Sequence, residues 1–392
     1  MQIDPKTLTG TWSYPTQVRF GPGRIAELPR ACRSLGMSRP LLVTDPGLAA
    51  LPMVAEAVAA NEAAGLPTAV FSKVKPNPLG RNVEDGVAVF REGGHDGVIA
   101  FGGGSGLDAA KAIAFMAGQD RPIWDFEDVG SNWKRADPAG IAPIVAVPTT
   151  AGTGSEVGRA SVILQEETHS KRIVFHPKML PGIVISDPEL TLGLPAHITA
   201  ATGMDALAHC LEAYCAPGFH PMAEGIAVEG LRLVKDWLPT AVEDGGNLAA
   251  RAQMLAAASM GATAFQKGLG AIHSLSHPIG AIYDTHHGLT NAVVMPYVLA
   301  FNRPAIEDKM VRLAAWLGLA EPSFAAVQGW ILGLRSALSI PHSLREIGVG
   351  DDRVEEIAEA AAVDPTAPTN PIPLDPPSLR AMMENALEGR VD

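Results

Sequence analysis

The sequence contains few of the residues that build a disulfide-stabilised protein. Among its 392 residues are three cysteines, Cys32, Cys210 and Cys215. Three is an odd number, and no two of them form a C-x-x-C motif, so a disulfide scaffold is not expected. Few cysteines without a disulfide pattern are typical of proteins in a reducing compartment, and we therefore expect this protein in the cytoplasm.

The chain also lacks an excess of positive charge. Thirty Lys and Arg residues stand against 42 Asp and Glu residues, which gives a formal net charge of −12. Nucleic acids and anionic membranes attract basic surfaces, so we expect neither as the main partner. No apolar run approaches membrane-spanning length, and residues 1–16 lack the basic-then-apolar pattern of a signal peptide. These absences favour a soluble protein.

What is present indicates two domains. Hydrophobic residues make up 47% of a chain that is long enough for two cores. Buried strands followed by helical stretches alternate up to about residue 189, with strands predicted at 41–44, 68–71, 97–101 and 141–147. This alternation predicts a parallel sheet covered on both faces. Beyond it, Ala- and Leu-rich stretches have helical spacing, at 200–214, 222–238, 248–266 and 304–317. We predict an α/β domain over residues 1–189 and an all-helical domain over 190–392.

A glycine-rich turn joins the predicted strand at 97–101 to a helix. It contains Gly102, Gly103, Gly104 and Ser105. Such a turn lets phosphate groups approach backbone amides at the positive end of a helix. We expect Ser105 to cap that helix, with Asp108 at the capping-box spacing. A tight turn without a ligand is the alternative.

Two further loops follow predicted strands. Asp45 stands at the end of an early strand, where a carboxylate accepts both ribose hydroxyls and repels a 2′-phosphate, which favours NAD over NADP. A turn aspartate is the alternative for this residue. Residues 148–156 carry hydroxyls and glycines suited to a polyanion or a nicotinamide, including Thr149, Thr150, Thr153 and Ser155. Ligands bind outside the carboxyl ends of parallel strands, so three such loops at one sheet edge indicate a nucleotide site.

Histidines are concentrated in residues 268–288, with His273, His277, His286 and His287. Upstream, Asp205 and His209 lie four residues apart. Helical residues with this spacing share a face, so Asp205 with His209, and His273 with His277, can point to one spot. Imidazoles with a carboxylate suit iron(II), zinc, cobalt or nickel, and argue against calcium and magnesium.

Four stretches together resemble the iron-dependent (group III) alcohol dehydrogenase family. They are GGGSGLDAAK (102–111), PTTAGTGSE (148–156), DPELTLGLPAHITAATGMDALAHCLEAY (187–214) and GLGAIHSLSHPIGAIYDTHHG (268–288). The resemblance implies a Rossmann-like N-terminal domain, a helical C-terminal domain and an active site in the cleft between them. This is the two-domain plan that dehydroquinate synthase-like proteins share.

The resemblance also implies roles for individual residues. By position, the family's metal ligands correspond to Asp205, His209, His273 and His287. Iron(II) is implied by the family name, with zinc or another divalent metal as alternatives. A histidine near the nicotinamide corresponds to His277, while His286 departs from the family pattern and is assigned no ligand role. The implied cofactor contacts are Asp45, Asn77, Gly102, Gly103, Gly104, Ser105, Asp108, Thr149, Thr150, Ser155 and Lys171, to which the loop composition adds Thr153.

The function implied is reversible hydride transfer between a small primary or secondary alcohol and NAD, in a homodimer or larger homo-oligomer. The metal acts as a Lewis acid on the substrate oxygen. The candidate catalytic side chains are His277 and, next to the cofactor, Asp108. One alternative is a family transhydrogenase that retains NAD and acts on hydroxy acid and oxo acid pairs. Another is a dehydroquinate synthase-like lyase, which needs a basic cluster for a substrate phosphate, and residues 200–290 offer only Arg232, Lys235, Arg251 and Lys267. A non-catalytic metal or nucleotide sensor is the third.

Overall fold

The computed structural model describes residues 13, 14 and 16–391. The chain divides into two compact units, one of Pro15–Gly193 and one of Leu194–Asp392 together with Met1–Tyr14. The predicted boundary at 189 and the predicted functions of the two domains stay predictions.

The first unit contains a six-stranded parallel sheet. Its strands are β1 (Gln17–Phe20), β2 (Pro40–Val43), β3 (Ala69–Phe71), β4 (Gly97–Gly102), β5 (Ile144–Pro148) and, after a separate hairpin, β8 (Ile183–Ser186). The spatial order is β1-β8-β5-β4-β2-β3, and every neighbouring pair is parallel. The four central strands are buried along their whole length, because both faces of the sheet are covered.

The helices of this unit are α1 (Leu28–Ser34), α2 (Pro46–Ala49), α3 (Pro52–Ala63), α4 (Gly80–Glu92) and α5 (Gly104–Met116). The hydrophobic core between α1, α3 and the sheet contains Cys32, Leu42, Ile99 and Val145. Cys32, Cys210 and Cys215 are buried, and none of the three forms a disulfide. Burial raises the pKa of each thiol to about 12.

An antiparallel hairpin in this unit was not predicted. Its strands, β6 (Ala160–Gln165) and β7 (Ser170–Phe175), pair from Ala160 with Phe175 to Gln165 with Ser170. Buried and part-buried positions alternate along β6, as expected for a ribbon with one wetter face. The turn lacks an Asn-Gly or Asp-Gly signal, and His169 adopts the left-handed conformation there with φ of 47°.

The second unit is helical. Its helices are α6 (Ala196–Cys215), α7 (Pro221–Glu243), α8 (Leu248–Ala264), α9 (Ala271–Tyr283), α10 (His287–Trp316), α11 (Phe324–Ala337), α12 (Val354–Ala362) and α13 (Pro376–Glu388). Helix α6 is buried on all sides from Thr199 onward and packs against α7, α8 and α10. A parallel sheet in one unit and helices in the other confirm the predicted fold class.

Helix α10 corrects one predicted boundary. The predicted helix at 304–317 is the end of a 30-residue helix that passes through Pro296 and Pro304. Proline usually ends a helix, which is why the earlier half was not predicted. Among the residues that the structure describes, no helix has both the length and the apolarity that crossing a bilayer requires.

Candidate active site

The three predicted nucleotide loops leave the sheet at one edge. Asp45 follows β2, Gly103 follows β4 and Thr149 follows β5, and these strands are parallel neighbours. The chain leaves β2 toward β3 on one side and leaves β4 toward β5 on the other. Such a reversal marks the topological switch point, where open α/β sheets bind their ligands.

Two loops lie against each other at the start of α5: the glycine turn (residues 102–105) and the Thr-rich loop (residues 148–156). A Cβ atom added to Gly104 would lie 2.5 Å from Cγ2 of Thr153. The helix begins at Gly104 with Gly103 as its N-cap, and no side chain caps it. The prediction that Ser105 caps this helix is therefore wrong, because Ser105 already lies inside the first turn. The backbone N–H groups at this helix end remain a suitable cradle for phosphate.

Asp108 uses both carboxylate oxygens within the chain. Its Oδ1 accepts the hydroxyl of Ser155 at 2.5 Å and lies 3.2 Å from Nζ of Lys111, and its Oδ2 accepts the N–H of Val162 at 2.9 Å. Asp108 thus links α5 to the Thr-rich loop and to β6. Its predicted catalytic and cofactor roles stay predictions.

Asp45 is the N-cap of the short helix α2. Its Oδ1 accepts the N–H of Leu48 at 2.9 Å at the start of α2. Of the less specific cofactor candidates, Asn77 lies in the left-handed region with φ of 51°, between β3 and α4. Lys171 lies in β7. The structure leaves the predicted cofactor contacts of all three untested.

In the helical unit, the four predicted metal ligands lie together. One ligand atom from each of Asp205, His209, His273 and His287 falls within 4.8 Å of all the others. Oδ1 of Asp205 is 3.9 Å, 4.0 Å and 3.6 Å from the Nε2 atoms of His209, His273 and His287. Two donors that each lie about 2.1 Å from one ion are at most about 4.2 Å apart. The carboxylate and any of the three rings therefore fit one ion, and this donor set suits a transition metal.

Three helices bring these ligands together. Asp205 and His209 lie one turn apart on α6, and His273 lies on α9. The His209 and His273 rings are stacked, with centroids 4.7 Å apart. Helix α9 ends at Tyr283, its C-cap Asp284 has a left-handed φ of 52°, and His287 begins α10. This reversal returns the chain to the site.

A glycine lets α10 approach α6 closely. A Cβ atom on Gly288 would lie 2.3 Å from the carbonyl oxygen of Ala201 and 3.0 Å from Cβ of Asp205. Both contacts are with the helix that carries Asp205 and His209. The position of His287 therefore depends on the absence of a side chain at residue 288.

His277 and His286 are not members of the ligand group. Nδ1 of His277 lies 2.8 Å from Oδ2 of Asp364, and its ring stacks on that of His287 with centroids 5.6 Å apart. His286 is the N-cap of α10, where its Nδ1 accepts the N–H of Leu289 at 3.3 Å. The structure thus places His277 beside the group and gives His286 a role in the helix end.

Charge around the ligands favours a cation. Burial by itself lowers the pKa of His273, but the negative charge and hydrogen bond of Glu212, helped by Asp205, raise it overall. Burial likewise raises the pKa of Asp364, yet His277 and the hydrogen bonds of Thr366 hold that pKa below 3.8. Asp364 is therefore a carboxylate, and a positive group near these side chains is stabilised.

Three neighbours of the group were missed in the sequence. They are Glu212, Asn291 and Asp364, all buried or nearly so. Nδ2 of Asn291 donates to Oδ1 of Asp205 at 2.7 Å and lies 3.2 Å from Nε2 of His273 and of His287. Oδ1 of Asn291 is buried and has no hydrogen-bond partner among the described residues. Glu212 and Asn291 had a sequence signal, since Glu212 lies three residues after His209 on α6 and Asn291 lies four residues after His287 on α10. Asp364 had none.

The basic side chains that a phosphate-binding lyase would need have other partners. Arg232 pairs with Glu229 and Asp236, and Lys235 with Asp236. Arg251 donates to the Thr199 hydroxyl and to the carbonyl oxygens of Leu194 and Gly245, and Lys267 pairs with Glu224. None of these four is a member of the ligand group, and the arrangement gives no support to the lyase alternative.

Comparison with known families matches both units. Residues 15–188 match the family model described as iron-containing alcohol dehydrogenase. Residues 199–387 match the model described as Fe-containing alcohol dehydrogenase family, C-terminal.

Individual relatives match over almost their whole length. The chain is 40% identical over 385 residues to a 4-hydroxybutyrate dehydrogenase of Cupriavidus necator, which covers 95% of this chain and 99% of that relative. It is 36% identical to an NAD-dependent methanol dehydrogenase of Bacillus methanolicus, over 97% of this chain and 100% of that one. The crystal structure of a 1,3-propanediol oxidoreductase has a TM-score of 0.91 at 35% identity, over 96% of this chain and 100% of that one.

Proposed function

Because the chain belongs to the iron-containing alcohol dehydrogenase family and is an oxidoreductase of that family, we propose that it exchanges a hydride between a short primary alcohol and NAD. The convergence of Asp205, His209, His273 and His287 on one point carries this proposal. The three relatives described above are named for 4-hydroxybutyrate, methanol and 1,3-propanediol. All three compounds bear a CH2OH group, which supports a primary alcohol as the reacting group.

The proposed metal is iron(II), with zinc as the alternative, held by the four side chains of this ligand group. One carboxylate and three imidazoles give a compact donor set that two hard cations, calcium and magnesium, do not favour. When bound, a divalent metal supplies Lewis-acid chemistry to the hydroxyl oxygen of the substrate.

The proposed NAD site is the sheet edge of the first unit, and we assign residues 1–189 as the NAD-binding domain and 190–392 as the metal-binding domain. Phosphate would lie on the backbone of the glycine turn at the start of α5. Asp45 would select NAD through the charge of its side chain, whose Oδ1 already caps α2. The remaining proposed cofactor contacts are Asn77, Ser105, Asp108, Thr149, Thr150, Thr153, Ser155 and Lys171.

His277 is proposed to move the hydroxyl proton of the substrate. A carboxylate only accepts hydrogen bonds, so Oδ2 of Asp364 holds the proton of the pair on Nδ1 of His277. In a neutral ring this leaves the lone pair on Nε2, which can accept the substrate proton and then release it to solvent. Cytoplasmic location and homo-oligomeric assembly stay predictions from the sequence.

One experiment tests the function directly. Purified protein is analysed for bound metals and assayed with a panel of primary and secondary alcohols, and with the matching aldehydes in reverse, using NAD and NADP in parallel. We expect stoichiometric metal and NADH formation from primary alcohols, with 4-hydroxybutyrate the first compound to test. Metal-free protein with full activity would contradict the proposal. Hydride exchange between two substrates without release of free NADH would instead indicate the transhydrogenase.

A further inference from the structure

Glu212 lies beside the ligand group without belonging to it. It follows Asp205 and His209 on the same face of α6, and its side chain is 6% exposed. Its two oxygens have different partners on α9. Oε2 lies 2.5 Å from Nδ1 of His273, and Oε1 accepts the N–H of Ile272 at 2.7 Å.

The first of these contacts determines which nitrogen of His273 carries the proton. A carboxylate cannot donate, so the hydrogen atom of the His273–Glu212 contact belongs to Nδ1. In the neutral ring, Nε2 then has the lone pair, and Nε2 is the atom that faces Asp205 at 4.0 Å. A metal ligand needs that lone pair.

Asn291 supports the same tautomer from the other side of the ring. Its amide orientation follows from Asp205, because a carboxylate oxygen at 2.7 Å requires the NH2 group there. The same Nδ2 lies 3.2 Å from Nε2 of His273. A donor at this distance is compatible with an unprotonated Nε2 and would be repelled by a protonated one.

The second contact positions the backbone next to the ligand. The first N–H groups of a helix lack partners within the helix. Oε1 of Glu212 accepts the N–H of Ile272, and Oδ1 of Asn370 accepts the N–H of Ala271 at 3.1 Å. Asn370 is held in turn by Asn302, with contacts of 2.8 and 2.9 Å. Glu212 thus holds both the ring and the adjacent backbone of His273.

We propose that Glu212 is a positioning residue of the metal centre, which keeps His273 in the Nδ1–H tautomer with Nε2 directed at the ion. The inference rests on the proposed role of His273 as a ligand. Glu212 acts through His273, and hydrogen-bonded carboxylates behind ligating histidines have this effect in other metal sites.

The discriminating substitution is Glu212→Gln, which preserves the shape of the side chain, removes its charge and replaces one acceptor oxygen with an NH2 donor. If Oε1 of the glutamine still accepts the N–H of Ile272, its NH2 group faces Nδ1 of His273. The ring proton must then move to Nε2, where it blocks the ion. Binding of Zn²⁺ is measured by competition with a chromophoric chelator, and thermal unfolding is measured on the metal-free proteins.

We expect Glu212→Gln to weaken Zn²⁺ binding by about 10- to 100-fold while the metal-free protein unfolds near the wild-type temperature. Asn370→Ala serves as the structural comparison, since it removes the neighbouring hydrogen bond to Ala271 and leaves the Glu212–His273 contact. It should lower the unfolding temperature and change Zn²⁺ affinity by less than about threefold.

Two results would overturn the inference. One is wild-type Zn²⁺ affinity in Glu212→Gln. The other is a loss of about 10-fold or more in Asn370→Ala, measured against the wild-type protein, because Glu212 would then matter only for the helix start. This second result decides the question even if Glu212→Gln folds poorly. A wild-type protein that binds no metal would instead contradict the proposed function, so the two failures are distinguishable.

Discussion

Replacing Gly288 with alanine tests whether close contact between α10 and α6 creates the metal site. The added Cβ atom would lie 2.3 Å from the backbone oxygen of Ala201. An unstrained C···O contact is about 3.3 Å, so the start of α10 must move by about 1 Å. A backbone oxygen cannot rotate away as a side chain would. The neighbouring residue, His287, would move with the helix.

Two quantities set the expected loss of metal affinity. Metal–ligand distances vary by only about 0.2 Å in well-formed sites, far less than this displacement. Overpacking a buried contact costs about 1–3 kcal/mol. If α10 relaxes outward in the metal-free protein, metal binding must reverse that movement, and the affinity should fall by about 5- to 150-fold.

The assay compares Zn²⁺ affinity and turnover of Gly288→Ala with those of Gly329→Ala. Gly329 lies within α11, and a Cβ atom there meets no atom of the described residues within 4 Å. This control should keep wild-type affinity and gain up to about 1 kcal/mol of stability from the better helix former. Wild-type affinity in Gly288→Ala would refute the idea that this contact positions His287.

Three further predictions concern other parts of the chain. His277→Ala should lower turnover by about 100-fold or more while metal content by atomic spectroscopy stays at the wild-type level, and a parallel loss of metal would make His277 a ligand. Glu224→Gln should destabilise the fold by about 2 kcal/mol in chemical unfolding, because buried Lys267 loses its carboxylate, whereas Glu229→Gln in an exposed pair should be nearly neutral. Burial raises the pKa of Glu224, but its two lysine partners hold it below 4.5. Its stabilisation is therefore complete above pH 4.5 and lost as the pH falls through the folded-state pKa, so Glu224→Gln should lose less stability in acid. Asp45→Ser, which keeps a capping oxygen for α2, should improve kcat/KM with NADP relative to NAD by roughly tenfold or more, and an unchanged ratio would contradict the charge argument.

The strands that carry the three loops were accessible from the chain alone. Continuous apolar runs predicted β2, β4 and β5, and each is followed by polar or glycine-rich residues. The carboxyl ends of parallel strands lie at the same edge of a sheet whatever the strand order, which is why the proposed nucleotide site could be located. The capping of α5 was mispredicted because Ser105 is a favoured capping residue, and the sequence does not reveal that Gly103 already occupies the cap.

Spacing within one helix also indicated half of the candidate metal site. Asp205 and His209 share a face because they lie four residues apart on α6, and Glu212 shares it for the same reason. The chain could not reveal that Glu212 bonds to His273, which is 61 residues away. That contact requires α6 and α9 to pack at one particular register.

The sequence by itself determined the two-unit plan, the three strands with their loops and the donor types, because periodicity and local composition report which residues of one element share a face. Tertiary structure alone decided which elements meet. Packing brings Asp364 to His277 across 87 residues and lets Gly288 rest against Ala201. It also separates His287, which lies with the ligands, from His286, which caps the helix. These contacts depend on how whole helices fill a common core, and no local pattern encodes them.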